Sequence, residues 1–131
     1  MHVTAIYAAL ATLLVLVLAA RVSLGRYGAK VSLGDGGDRE LTRRIRVHAN
    51  ALENLPLALI LLLLLDLAQF PVAWLHTCGI VLIVARVLHA VGLSRADGPS
   101  FGRSVGTALT WGVMLVMAIL LLAGVVMRSA V

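Results

Sequence analysis

Residues 43–56 hold most of the side chains in this sequence that could bind a ligand. Three arginines, a histidine, two asparagines and a glutamate follow one another in Arg43-Arg44-Ile45-Arg46-Val47-His48-Ala49-Asn50-Ala51-Leu52-Glu53-Asn54-Leu55-Pro56. A helix turns by about 100° per residue, so roughly one third of its circumference would carry Arg43, Arg46, Asn50, Glu53, Asn54 and Leu57. Arg44 and His48 point elsewhere, and we expect structural roles for them. We call Arg43, Arg46, Asn50 and Glu53 the polar ladder.

The order of groups on the polar ladder suits a zwitterionic, peptide-like ligand. Guanidinium groups bind carboxylates through paired hydrogen bonds, Asn50 can donate and accept, and Glu53 can hold an ammonium group. Glu53 lies ahead of a long apolar run, and an intramembrane carboxylate usually has a partner and a function. An ion pair from Glu53 to Arg46 or Arg86 is the structural alternative.

The composition is that of an integral membrane protein. Of 131 residues 61% are hydrophobic and 13% are charged, with a mean hydropathy of +1.03, whereas soluble domains carry about 25% charged residues. A bilayer core of about 30 Å requires a helix of about 20 residues, so the chain has room for four spans and no separate soluble domain. We predict an all-α, four-transmembrane-helix bundle, a single domain over 1–131, with spans near 3–25, 40–69, 72–93 and 101–127.

The basic residues predict the orientation in the membrane. Ten of the eleven lysines and arginines lie in or beside the loops after spans one and three, and only Arg128 lies near the other side. The positive-inside rule then places both loops in the cytoplasm and both termini outside. Topology therefore explains the charge of +5 better than nucleic-acid binding does. The first apolar run lacks a basic n-region, so we expect a retained span and not a secretory signal.

Two further motifs should lie at the depth of the polar ladder. Arg86 and His89 share one face of span three, which runs antiparallel to span two. Arg103-Ser104 stands in the first turn of span four, after a turn at Asp97-Gly98-Pro99. No metal site is expected, because the histidines show no ligand spacing.

These motifs resemble a known family. The pattern Arg43-x-x-Arg46-x-His48-x-Asn50-x-x-Glu53-x-x-Pro56 resembles the second-helix signature of the MAPEG family, the membrane-associated proteins of eicosanoid and glutathione metabolism. Arg86-Val87-x-His89 is similar to its third-helix motif and Arg103-Ser104 to its fourth-helix start. The resemblance covers nearly the whole chain, and the Gly-Asp-Gly-Gly loop is similar to the short bacterial, YecN-like branch.

The resemblance implies a homotrimer in the bacterial inner membrane that binds glutathione, as co-substrate, between neighbouring subunits near the cytoplasmic face. Glutathione's backbone groups would be held by Arg46, Asn50 and Glu53. Further binding positions would be Arg26 or Lys30, Arg43 at the rim, Arg86 and His89. Arg103 would stabilise the thiolate, with Ser104 as a hydroxyl donor.

We therefore expect a glutathione transferase or peroxidase that acts on hydrophobic small-molecule electrophiles. These would reach the site from the surrounding membrane lipids. Leu93 stands where many members of the family carry a tyrosine, so no particular reaction is predicted. The alternative is a non-catalytic membrane module that binds lipid headgroups or a small thiol. A transporter is disfavoured, because the polar residues of span two stop near Pro56.

Overall fold

The protein folds into four long helices joined by short connections. The computed structural model describes residues 3–95 and 100–129, and its helices are α1 (Val3–Ala29), α2 (Arg39–Leu67), α3 (Val72–Arg95) and α4 (Phe101–Ser129). Each is long and apolar enough to cross a membrane. The prediction of an all-α chain with four spans is thus confirmed. The predicted turn at Asp97-Gly98-Pro99 and the side chain of Arg128 lie outside the described residues.

Helix α1 continues past Gly25, where its span was expected to end, and reaches Ala29. Lys30 then adopts a left-handed conformation with φ +55°, and two backbone hydrogen bonds return from the loop to the last turn, as in a Schellman motif. Gly25 has another use, since a Cβ there would lie 3.1 Å from Leu41 and 3.2 Å from Arg44 of α2. It allows α1 and α2 to approach closely.

Helix α2 has a defined start and end. The carboxylate of Asp38 caps the first turn, accepting from the backbone N–H groups of Glu40 at 2.8 Å and Leu41 at 3.3 Å, which satisfies donors that a helix start leaves unpaired. The helix continues through Pro56. After Leu67 the chain turns at Gln69, whose φ is +60°.

Helices α2 and α3 form the centre of the bundle. Both contact α1 on one side and α4 on the other, and within the described residues α1 and α4 do not touch. The buried core between the helices includes Leu62, Leu82, Met117 and the free thiol of Cys78, so Cys78 is a packing residue.

The two ends of the bundle differ in chemistry. At one end, which we call the basic end, the last turns of α1 approach the start of α2, and the first turn of α4 contacts the last turns of α3. There Arg21 Nη1 donates to Ser94 Oγ at 3.3 Å. At the opposite end, the Thr4 N–H donates to Asp66 Oδ2 at 2.8 Å. The predicted site residues therefore all lie toward one end.

Helices α3 and α4 pack against each other through glycines. A Cβ on Gly106 would lie 2.6 Å from the carbonyl oxygen of Ala85 and 2.6 Å from the backbone nitrogen of His89. Such distances leave no room for a side chain. Gly112, by contrast, faces open space.

Candidate functional site

The centre of the site is a contact between α2 and α3. Arg86 Nη2 donates to Asn50 Oδ1 at 2.9 Å, although the two residues are 36 positions apart. The antiparallel arrangement predicted that they share one depth, but not this hydrogen bond. The Arg86 residue is only 2% exposed, and its Nε has no hydrogen-bond partner. A cation is thus buried beside a neutral amide, with one donor left unsatisfied.

His89 lies on the same face of α3 as Arg86 and is equally enclosed. It is 3% exposed, and its Nδ1 has no hydrogen-bond partner. Both Arg86 and Arg103 lie close enough to act electrostatically on its ring. The structure therefore places Asn50, Arg86 and His89 together at the basic end, with the exposed Arg103 of α4 nearby, where its backbone contacts Gly92 of α3.

Arg46 and Glu53 face away from the bundle that contains them. Arg46 Nη1 lies 4.0 Å from Glu53 Oε1, and their side chains are 60% and 55% exposed. The cause is their position on α2: they lie about 40–60° further than Asn50 from the face that packs into the core. Asn50 therefore reaches Arg86, whereas Arg46 and Glu53 form an outward surface.

The remaining predicted ligand positions have partners nearer the loop. Arg43 Nη2 forms an ion pair with Glu40 Oε2 at 2.7 Å. Arg26 Nη1 donates to the backbone carbonyl of Ser32 at 3.1 Å, and Lys30 is exposed. Within this chain, the contacts of Arg26 direct it to the loop and not toward Arg86.

Glu40 is a residue of the basic end that we did not select from the sequence. Besides Arg43, it binds Arg44 Nε at 3.0 Å, and Arg44 Nη1 donates to the Arg21 carbonyl oxygen of α1 at 3.3 Å. Arg44 therefore joins α1 to α2, in keeping with its position off the ladder. The spacing of Glu40 three and four residues before these arginines is a signal that would have predicted both pairs.

Arg103 and Ser104 occupy the first turn of α4, and both are exposed. An apolar groove of about 290 Å³ between α3 and α4 begins one helical turn beyond Ser104. Its lining residues are Trp74, Thr77, Cys78, Val81, Ala108, Leu109, Gly112, Val113 and Val116. The polar cluster and the apolar groove thus both lie beyond the first turn of α4, since Gly106, which precedes the groove, packs against Ala85 and His89.

The described residues contain no group of three or more histidine, cysteine, aspartate or glutamate side chains that could hold a metal ion. The site offers instead guanidinium groups, amides, an imidazole and a carboxylate. These groups suit an organic ligand that carries both carboxylates and an ammonium group.

Comparisons with known proteins show the family of the chain. The family model of the MAPEG family matches residues 4–123. The chain is 35% identical over 117 residues to the inner membrane protein YecN of Escherichia coli K12, covering 89% of this chain and 88% of that protein. The YecN protein of Escherichia coli O6:H1 strain CFT073 matches with the same identity and coverage. With four apolar helices of spanning length, the chain is an integral membrane protein, and it belongs to the MAPEG family.

Proposed function

We propose that this protein binds glutathione at the basic end and uses it, as an arginine-stabilised thiolate, to conjugate or reduce lipophilic electrophiles. The observation that carries the proposal is Arg86, which is 2% exposed and has only a neutral side-chain partner. Burying a cation without a counter-charge is costly. A ligand carboxylate would supply that charge and a partner for the free Nε.

The dimensions of the polar ladder fit a tripeptide. From Arg43 to Glu53 the helix rises by about 15 Å, and an extended tripeptide spans about 10 Å. Glutathione carries two carboxylates, two amides and one ammonium group. Arginines of the ladder and Arg86 match the carboxylates, Asn50 matches an amide, and Glu53 matches the ammonium group.

Arg103 is the residue best placed to ionise the thiol. A free thiol with a pKa near 8.5 is only a few per cent thiolate at neutral pH. Lowering that pKa by about two units takes roughly 2.7 kcal/mol of preferential interaction with the thiolate. A desolvated guanidinium contact is of that magnitude, and the positive end of the α4 dipole adds to it. Ser104 adds a hydroxyl donor in the same turn.

The apolar groove beyond Ser104 gives a lipophilic electrophile a place beside the sulfur. In conjugation, the thiolate sulfur bonds to the electrophilic carbon, the leaving group departs with its electron pair, and the thiol proton passes to solvent. In peroxide reduction, two glutathione molecules are oxidised to the disulfide while the O–O bond is cleaved to an alcohol and water. Both reactions gain from holding the two reactants together, without a covalent enzyme intermediate.

We also propose that the protein works as a homotrimer in the bacterial inner membrane, with the basic end in the cytoplasm. Arg46 and Glu53 support the assembly, because both are more than half exposed on a helix that crosses the membrane. Charged groups within a membrane usually face protein or a water-filled cavity. A neighbouring subunit would cover them and complete the site. Native mass spectrometry should then give three times the subunit mass, 13.8 kDa.

The experiment that tests the chemistry measures conjugation of glutathione to a chloronitrobenzene. Purified wild-type protein should conjugate glutathione at a rate well above background. Arg103→Ala should lower that rate about twentyfold at neutral pH, because the fraction of glutathione present as thiolate falls by that factor. Arg95→Ala is the matched control, because Arg95 is an exposed arginine at the same end outside the proposed site. Absence of turnover in the wild type, or full activity in Arg103→Ala, would contradict the mechanism.

Binding is tested separately from catalysis by calorimetry with glutathione. Wild-type protein should bind it, and Glu53→Ala should bind it more weakly. If neither the wild type nor Glu53→Ala binds glutathione, but the protein binds vesicles of anionic phospholipid, the non-catalytic lipid-headgroup function replaces the one proposed here.

A further inference from the structure

We propose that Ser100 is a positioning residue for Arg103: its hydroxyl fastens the first turn of α4 to the last turns of α3. This inference rests on the proposed function, because its effect is felt through Arg103. Ser100 Oγ donates to the carbonyl oxygen of Gly92 at 3.0 Å and accepts from the backbone N–H of Arg103 at 3.4 Å. One hydroxyl can fill both roles at once.

The two hydrogen bonds of Ser100 differ in what they do. The bond from Arg103 lies within α4 and caps its start, together with the bond from the Ser104 N–H to the Ser100 carbonyl oxygen at 3.0 Å. The bond to Gly92 is the shorter one, and it crosses to α3. Capping alone would only stabilise the helix, whereas the bond to Gly92 fixes where that helix begins relative to α3.

A second feature fixes the same turn independently. A Cβ on Gly92 would collide with the backbone nitrogen of Arg103, and a Cβ on Gly102 would lie 3.0 Å from the carbonyl oxygen of Leu88. The backbones of α3 and α4 are therefore in direct contact at this point. Glycine permits that contact, and the Ser100 hydroxyl holds it.

The consequence is a fixed register between Arg103 and the polar cluster on α3. Arg86 and His89 stand on the same last turns of α3 that Ser100 binds. If α4 starts in a different place, Arg103 moves relative to them, while Asn50, Arg86 and the ladder keep their own contacts. Loss of the bridge should therefore weaken thiolate formation and leave binding of the rest of the tripeptide nearly unchanged, since small displacements of a stabilising charge are costly.

The test compares Ser100→Ala, Ser100→Gly and Ser100→Thr in the full-length protein. The first readout is the ultraviolet absorbance of the bound glutathione thiolate as a function of pH. The second is the affinity for S-methylglutathione, a probe that has no thiol to ionise. Thr12→Ala is the control, because the Thr12 hydroxyl donates to the Ala8 carbonyl oxygen of its own helix.

We expect Ser100→Ala and Ser100→Gly to raise the apparent pKa of the bound thiol by about one unit. Ser100→Thr, which keeps the hydroxyl, should restore the wild-type value. Affinity for S-methylglutathione should stay within about twofold of wild type in all of them. Gly92→Ala, which pushes the first turn of α4 away, should raise the thiol pKa in the same direction.

The glycine variant distinguishes positioning from capping. Glycine is nearly as good as serine at the start of a helix, and alanine is poor. If Ser100→Gly keeps the wild-type thiol pKa while Ser100→Ala raises it, Ser100 acts only as a helix cap, and the inference is overturned. A parallel loss of S-methylglutathione affinity would also overturn it. Wild-type protein without any thiolate signal would instead overturn the proposed function together with this inference.

Discussion

Arg86 on α3 donates from Nη2 to the side-chain oxygen of Asn50 on α2 at 2.9 Å, although the two residues are 36 positions apart in the chain. This contact joins the polar ladder of one helix to the buried cation of another. It leaves the positive charge of Arg86 without a carboxylate partner among the described residues. The bundle is therefore built around a charge that a bound anion would balance.

Replacing Asn50 with aspartate should supply that missing negative charge from within the chain. In Asn50→Asp, the carboxylate pairs with Arg86, and charge-assisted hydrogen bonds are roughly twice as strong as neutral ones. We expect a higher melting temperature in detergent without ligand, and an affinity for glutathione at least about tenfold weaker. Calorimetry and thermal unfolding measure the two effects. Unchanged glutathione affinity would mean that Arg86 does not bind the ligand's carboxylate.

Glu53 should act specifically on the ammonium group of the ligand. We expect Glu53→Gln to weaken glutathione binding by about tenfold, because a charge-assisted bond becomes a neutral one. An analogue of glutathione that lacks the amino group should bind wild type and Glu53→Gln equally well. A similar loss for both ligands would show that Glu53 contributes through its contact with Arg46 and not through the ammonium group.

The loop before α2 should lose stability in acid. Asp35 accepts from the Gly37 N–H at 3.0 Å and from Thr42 Oγ1 at 2.7 Å, and these bonds hold the pKa of Asp35 below its usual value of 3.8. A lowered pKa in the folded state means that the unfolded chain binds protons first. The stabilisation is therefore complete at a pH above the usual pKa of the carboxyl group, and it is lost as the pH falls through the pKa of Asp35 in the folded state.

Thr42→Val keeps the side-chain shape but removes the shorter of these two bonds, together with the contact of Thr42 Oγ1 with the Asp38 carbonyl oxygen at 2.9 Å. We expect amide hydrogen exchange in residues 31–38 to be faster in the variant at neutral pH. The difference from wild type should shrink as the pH falls through the folded pKa of Asp35. A difference that does not depend on pH would show that the Asp35 carboxylate is not what orders the loop.

The orientation in the membrane can be measured with single introduced cysteines, because the native Cys78 is only 3% exposed. Leu33, in the basic loop, is 86% exposed. In intact bacterial cells, Leu33→Cys should not react with a membrane-impermeant maleimide until the cells are permeabilised. Ala73→Cys, which places a thiol at the exposed start of α3, should react at once. The reverse pattern would place the basic end outside.

The sequence predicted the four helices and the one-sided ladder because hydrophobic length and a 3.6-residue period are local properties. The common depth of Arg86 and the ladder also followed from the antiparallel spans, whereas the hydrogen bond from Arg86 to Asn50 was not predicted. Sequence periodicity did not show which part of the ladder would be covered, because that depends on the direction of α3 relative to α2. Arg46 and Glu53 consequently point away from the bundle, while Asn50 points into it.

The local contacts that escaped prediction depend on three-dimensional proximity. One such contact is the hydrogen bond from Ser100 to Gly92, which joins the start of α4 to α3. Another joins α1 to α3, where the Tyr7 hydroxyl lies 2.8 Å from His76 Nδ1. Nothing in the spacing of these residues distinguishes them from ordinary polar groups in a membrane helix. Glu40 is different, since its spacing to Arg43 and Arg44 was visible in the sequence.

The arginine-stabilised thiolate is tested most simply by the number of protons released when glutathione binds. Calorimetry at pH 7 in buffers of different ionisation enthalpy measures that number. If Arg103 lowers the thiol pKa from about 8.5 to about 6.5, wild-type protein should release about 0.7 proton for each glutathione bound. S-methylglutathione should release none, and Arg103→Ala should reduce the release toward zero while still binding. Tight glutathione binding without proton release by the wild type would contradict the arginine-stabilised thiolate.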